Sequence, residues 1–212
     1  MQWDAIQLEA KRRGALVYAI DQAQTPPMTQ PGPWGDVHHG YCAGLAANWI
    51  GLAYQGKDFP YSGQVCDNPP WQSTEAQTID ANTGFSTWLN EWKVIMATFQ
   101  CTVSGLQATQ AHSPSAAFIC QVVFRAYGCY GVSLRRNAEG SLPPGGHMVA
   151  MCNGRDGRLH LFDGNYFHIA IKDPCVFQDF VSWWLKETGY AKRYTVLTGV
   201  TGIRPPVNHT HP

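Results

Sequence analysis

Charge is scarce in this chain. Of 212 residues only 14% are Asp, Glu, Lys or Arg, and 15 basic side chains balance 15 acidic ones. Globular domains usually carry about a quarter. A formal charge of zero gives no basic field for a nucleic acid and no acidic tail, so a nucleic-acid partner is excluded. The pairs Arg12-Arg13 and Arg135-Arg136 are isolated and predict solvated faces. No apolar run approaches the ~20 residues of a membrane helix, which excludes an integral membrane segment. Metal signatures are missing as well: there is no Cys-x-x-Cys and no His-Glu-x-x-His, and His209 and His211 sit in a Pro-rich tail. Pro143-Pro144-Gly145-Gly146 is a turn and not a phosphate cradle. Neither a metal nor another cofactor is expected. The seven cysteines, at 42, 66, 101, 120, 129, 152 and 175, are odd in number and irregularly spaced. They make no disulfide framework and point to a reducing cytosol. The start Met1-Gln2-Trp3-Asp4 lacks an apolar stretch behind a basic leader, which predicts synthesis without a cleavable signal.

Apolar and aromatic side chains are plentiful, at 44% and 12%, with eight tryptophans. That is ample for one core, and the expected organisation is a single domain over 1–203 with a flexible tail over 204–212. Residues 1–33 read as an opening helix over 2–22 and a Pro/Gly/Gln-rich linker arm. A helix from Cys42 to about Gly56 follows, then a long irregular segment over 57–84 and a helix near 85–99. Ser113-Pro114 reads as an N-cap followed by proline at the first helical position, opening a helix to about Tyr127. Cys120 and Cys129 fall on that helical run. Asp173-Pro174 repeats the cap logic for a helix to Thr188, and strands are expected at 166–172 and 193–200. Trp183-Trp184 must point in different directions on their helix, with core packing the main use. Helices first and an antiparallel sheet after is an α+β pattern with no internal repeat.

Chemistry concentrates in two places. The first is Gly40-Tyr41-Cys42-Ala43-Gly44-Leu45-Ala46-Ala47-Asn48-Trp49. Leu45, Trp49 and Leu52 recur with helical period, which places Cys42 in the first turn of an amphipathic helix. Unpaired backbone N–H groups there carry the positive end of the macrodipole and favour a thiolate. The bland reading makes Cys42 a small core residue.

The second is a hairpin. The apolar run His147–Cys152 is followed by the turn-forming Asn153-Gly154-Arg155-Asp156-Gly157 and by the alternating Arg158–Asp163. A hairpin centred on residue 155 sets His147 directly opposite Asp163, with Cβ atoms ~5 Å apart. That is the reach a carboxylate needs to orient an imidazole. Cys42 as nucleophile, His147 as base then acid, and Asp163 as orienter make a candidate triad. Taken singly, His147 reads as a strand end and Asp163 as a turn residue.

These motifs, Gly-Tyr-Cys-Ala-Gly-Leu-Ala-Ala-Asn-Trp-Ile, Gly-His-Met-Val-Ala and Phe-Asp-Gly-Asn-Tyr, together resemble the YopT-type cysteine proteases of bacterial effectors, within the papain-like superfamily. The resemblance spans residues 34–172 and rests on three short motifs. It implies a papain-like fold, with a helical part carrying the cysteine packed on an antiparallel sheet carrying His and Asp. It also implies a secreted effector protease that cuts a target-cell protein, delivered by a specialised secretion system, with a secretion chaperone or immunity protein as a possible further partner. One departure stands out. Papain-like enzymes place a Gln or Asn five or six residues before the cysteine as an oxyanion donor. This chain has Val37 and Asp36 there, which leaves His38 or His39 as the side-chain donor and Asp36 as an opposing charge.

Other readings share the triad. An NlpC-type peptidoglycan amidase partly matches Cys42-Ala43-Gly44-Leu45 and His147-Met148-Val149, with His160 as third member and peptidoglycan as substrate. A deamidase or transglutaminase would use the same acyl chemistry, and a binding or immunity module would bury Cys42 without using it.

Overall fold

A computed structural model describes residues 3–21, 42–59, 88–137 and 145–207. The chain opens with helix α1, Trp3–Arg12, and then strand β1, Leu16–Ala19. The helix expected over 2–22 is therefore two elements. Gly14, with φ of +67°, ends the helix in the left-handed region that suits glycine. Leu16-Val17-Tyr18-Ala19 then pairs as an edge strand. Helix α2 spans Cys42–Tyr54 and helix α3 spans Trp88–Ala97. Strand β2, Thr102–Ala111, precedes helix α4, Ala116–Val123, and strand β3, Gly128–Arg136. Strands β4, Gly145–Asn153, β5, Leu159–Asp163, and β6, Phe167–Ile171, follow. Helix α5, Pro174–Glu187, a short helix α6, Tyr190–Arg193, and strand β7, Leu197–Arg204, close the fold.

The strands form one antiparallel sheet in the order β1-β6-β5-β4-β3-β7-β2. Helices cover both faces. On one face Val149, Met151, Leu161 and Ile169 pack with residues of α1, α4 and α5, Trp184 and Phe180 among them. On the other, Ala150, Cys152 and Phe162 pack with α2 and α3. Helix α2 is accordingly buried all round from Ala43 to Gly51 and is not amphipathic. Its small residues permit the fit: a Cβ on Gly51 would lie 2.7 Å from the Phe99 ring.

Several boundaries differ from expectation. The cap of α4 is Ser115, whose hydroxyl accepts from Phe118 N–H, and not Ser113. Cys129 lies in β3 rather than on a helical run, because Gly128, with φ of +135°, breaks the chain before it. The closing strand begins at Leu197 rather than 193, after the turn of helix in α6. Arg135 is not simply solvated: it forms an ion pair with buried Glu91. Asp173 caps α5 as expected, accepting from the N–H groups of Cys175 and Val176. Among the described residues no helix is long and apolar enough to cross a membrane.

Candidate active site

The base and the carboxylate come from adjacent strands at one end of the sheet. Strands β4 and β5 are joined by a five-residue turn, closed by Gly154 N–H to Arg158 O at 2.8 Å, and Arg158 N–H donates to Asp156 Oδ1. The ladder pairs Ala150 with Phe162, Met151 with Leu161 and Cys152 with His160. The hairpin is thus centred on Asp156, one residue later than its turn composition predicts. That shift moves every partner by two positions, so Asp163 falls level with Val149 and diagonal to His147. A two-residue displacement preserves the face on which a side chain stands, and diagonal neighbours stay within reach of a long side chain. His147 Nε2 donates to Asp163 Oδ1 at 2.9 Å.

Asp163 is fully buried and every side of it is engaged. Its Oδ1 also accepts from Asn165 N–H at 2.9 Å. Its Oδ2 accepts from Trp184 Nε1–H at 3.0 Å and from the Tyr190 hydroxyl at 3.2 Å. Tyr190 in turn accepts from Asn165 Nδ2 at 2.7 Å. The His147 ring sits 4.9 Å from the Tyr190 ring and is near-parallel to Tyr194. With Nε2 held by the carboxylate, the tautomer assigned from the network leaves Nδ1 for another partner.

Cys42 lies beside the ring. The thiol arrives on the first residue of α2 from the other face, at the sheet end where β4 begins and β5 stops. The approach is close: Leu45, one turn into α2, would lie 2.8 Å from a Cβ on Gly164. Cys42 is half-buried and hydrogen-bonded to His147. Burial alone would push the His147 imidazolium down, but the charges of Asp163 and Cys42 outweigh it and hold the pKa well above the usual histidine value.

The structure therefore brings Cys42, His147 and Asp163 together. His160 is elsewhere: it stands three residues from Asp163, on the opposite face of β5, where it bonds His168 at 3.1 Å and lies 3.7 Å from Asp156. Asp36, His38 and His39 lie outside the described residues, as do Cys66, His209 and His211. No cluster of three or more metal-ligating side chains occurs among the described residues. Three engaged residues escaped the sequence reading. Trp184 and Tyr190 carried no local signal beyond the tandem tryptophans, whereas Asn165 stood inside the Phe-Asp-Gly-Asn-Tyr motif without a role of its own.

The His160–His168 pair makes stability depend on acidity. Burial, and then the neighbouring His160 charge, lowers the His168 pKa to about 3. The unfolded chain takes up that proton near 6.5 and the native chain only near 3, so native stability falls as pH drops through this window. His147, raised rather than lowered, contributes fully throughout it. At about 1.4 kcal/mol per unit the loss reaches several kcal/mol by pH 4. Urea midpoints measured between pH 7 and 4 should fall steeply for the wild type and markedly less for His168→Gln. Parallel curves would remove His168 as the cause.

No protein-family profile and no curated protein matches this sequence. Among solved structures, the fold is similar to the crystal structure of the Pseudomonas avirulence protein AvrPphB. The TM-score is 0.55 at 16% identity, over 78% of this chain and 92% of that one. PatoxP, a cysteine protease-like domain of the Photorhabdus asymbiotica toxin PaTox, aligns with a TM-score of 0.48 at 6% identity, over 93% of this chain and 58% of that one. The chain has the α+β fold expected from its sequence and shares it with AvrPphB, with the cysteine-bearing helix packed on the antiparallel sheet.

Proposed function

We propose that the chain is a cysteine hydrolase that cleaves an amide bond through a thioester, acting as an effector protease on a target-cell protein. The observation that carries this reading is the relay Asp163–His147–Cys42, with the imidazole held at Nε2 by a buried carboxylate and hydrogen-bonded to a thiol at a helix start. His147 takes the Cys42 proton through Nδ1, and the thiolate attacks the carbonyl carbon. The proton then passes to the leaving amine, and water activated by His147 hydrolyses the thioester. Asp163 fixes the tautomer throughout. The Cys42 N–H, with His38 or His39, serves the oxyanion. Delivery by a specialised secretion system belongs to the same proposal, which the avirulence protein's fold supports by analogy. The wall-amidase alternative loses its third member, because His160 is committed to His168.

Alkylation tests the reading without a known substrate. Burial pushes the Cys101 and Cys120 thiols up to about 12, so about one molecule in 10⁵ is thiolate at pH 7. Cys175 is exposed and serves as the control for access. Iodoacetamide should modify Cys42 about tenfold or more faster than Cys175 at pH 7, with the site assigned by mass spectrometry. His147→Ala should abolish that advantage. Equal rates at Cys42 and Cys175 in the wild type would remove the nucleophile.

A further inference from the structure

A second reactive arrangement lies away from Cys42. Cys129 and Cys152 are direct partners across the β3–β4 ladder, and their side chains are hydrogen-bonded to each other. Both are buried free thiols. Direct antiparallel partners have Cα atoms about 4.5 or 5.5 Å apart. Either separation lies within the roughly 4.4–6.8 Å that a disulfide spans. The strand spacing therefore permits a bridge between them.

Cys152 also has a route to solvent. It lines a cavity of about 350 Å³ walled by Tyr18, Trp49, Phe59, His160 and His168. Cys129, on β3, does not line this cavity; it borders a second one of about 410 Å³, beside Tyr54, Gly128 and Ile203, and its backbone N–H donates to the Tyr54 hydroxyl. The cavity is at the far end of α2 from Cys42: Ala53 lines it, about 16 Å of helix from the first residue. A metal does not suit the two imidazoles there. Their nitrogens point at one another in a hydrogen bond and do not converge on a shared point.

We propose that Cys129 and Cys152 form a reversible cross-strand disulfide, made when hydrogen peroxide enters the cavity and reacts first at Cys152. In the first step the Cys152 sulfur attacks one peroxide oxygen, the O–O bond breaks, and a sulfenic acid forms. The departing hydroxide leaves as water with the thiol proton. In the second step the Cys129 sulfur attacks the Cys152 sulfur, the S–O bond breaks, and the hydroxyl leaves as a second water with the Cys129 proton. Two thiols are oxidised and one peroxide is reduced to two waters. Cys152 is the more exposed of the two, at 5% against 1%, and the neighbouring Cys152 together with burial holds the Cys129 thiol well above its usual pKa, so Cys152 reacts first. The bond ties β3 to β4, the strand that carries His147. A thiol reductant reverses it. This inference stands independently of the hydrolase reading.

The test uses the folded chain, both wild type and Cys42→Ser, so that a reactive Cys42 does not consume the oxidant. Each is treated with hydrogen peroxide, quenched with N-ethylmaleimide and digested without reductant. The expected product is the Cys129 peptide joined to the Cys152 peptide, two hydrogens lighter than their sum, as the dominant cross-link. The oxidised protein should unfold at a higher urea concentration than the reduced one. In Cys129→Ser the sulfenic acid should persist on Cys152 and be trapped by dimedone, whereas Cys152→Ser should leave Cys129 unmodified. A Cys101–Cys129 link as the main product would overturn the pairing. So would thiols that stay reduced until urea is added, or sulfinic acid on Cys152 without any joined pair.

Discussion

Asp163→Asn should lower hydrolysis about 10⁴-fold while the chain still folds. The reason lies in the four donors around the carboxylate. Oδ1 receives His147 Nε2–H and Asn165 N–H, and Oδ2 receives Trp184 Nε1–H and the Tyr190 hydroxyl. An amide has one acceptor and one donor, so either rotamer faces an NH₂ toward groups that also donate. With the NH₂ toward His147, the imidazole answers by moving its proton to Nδ1, the atom that must accept from Cys42. With the NH₂ toward Trp184 and Tyr190, the tautomer survives but two buried donors lose their acceptor, at about 1–3 kcal/mol. The first rotamer destroys the base and the second loosens its mount. The check is kcat on a fluorogenic peptide that the wild type cleaves, with a urea titration in parallel to verify folding. Activity within tenfold of wild type in a folded Asp163→Asn chain would remove Asp163 from the relay.

The pairing of His147 with Asp163 was legible because two independent signals agreed. The cluster from Asn153 to Gly157 announced a turn, and Leu159, Leu161 and Asp163 share one face by simple alternation. Composition could place the centre of that turn only to within a residue. The error was harmless, since moving the centre by one residue shifts partners by two and returns each side chain to its own face. Helix α5 was equally legible from Asp173-Pro174, where a side-chain acceptor and a proline without an N–H both suit a helix start.

Strand β3 was hidden for the opposite reason. Cys129 to Leu134 are buried without a break, so the polar/apolar alternation that marks a half-exposed strand is missing. Gly131 belongs there because Trp92 covers it, and a Cβ would lie 2.3 Å from the indole. That constraint comes from a helix far away in sequence. The amphipathic reading of α2 failed likewise: the helix packs with α3 as well as with the sheet, which no local pattern reports. What surrounds Asp163 was hidden too, since Trp184 and Tyr190 lie 21 and 27 residues beyond it.

Trp184 should separate stability from chemistry in two substitutions. Its side chain is fully buried, edge-on to Tyr190 at 5.4 Å between ring centroids, and its Nε1–H reaches Asp163 Oδ2. Trp184→Ala leaves a cavity the core fills only in part and should cost about 3–5 kcal/mol. Domains are stable by only about 5–15 kcal/mol in total, so much of the native population is at risk. Trp184→Phe keeps most of the ring and removes only the donor. Hydrogen bonds to charged groups contribute about 1.5–3 kcal/mol, so a smaller loss of stability is expected, read as a lower urea midpoint. Among the described residues the carboxylate then keeps the Tyr190 hydroxyl alone on Oδ2 and can rotate away from His147. We expect kcat to drop about tenfold with KM unchanged, since positioning matters at the transition state and not in substrate binding. Cys42 alkylation should slow in step, because the imidazole that draws the thiol proton is less firmly held. A Trp184→Phe chain that loses stability but keeps full kcat would make Trp184 a core residue alone, and Asp163 would then owe its position to Asn165 and Tyr190.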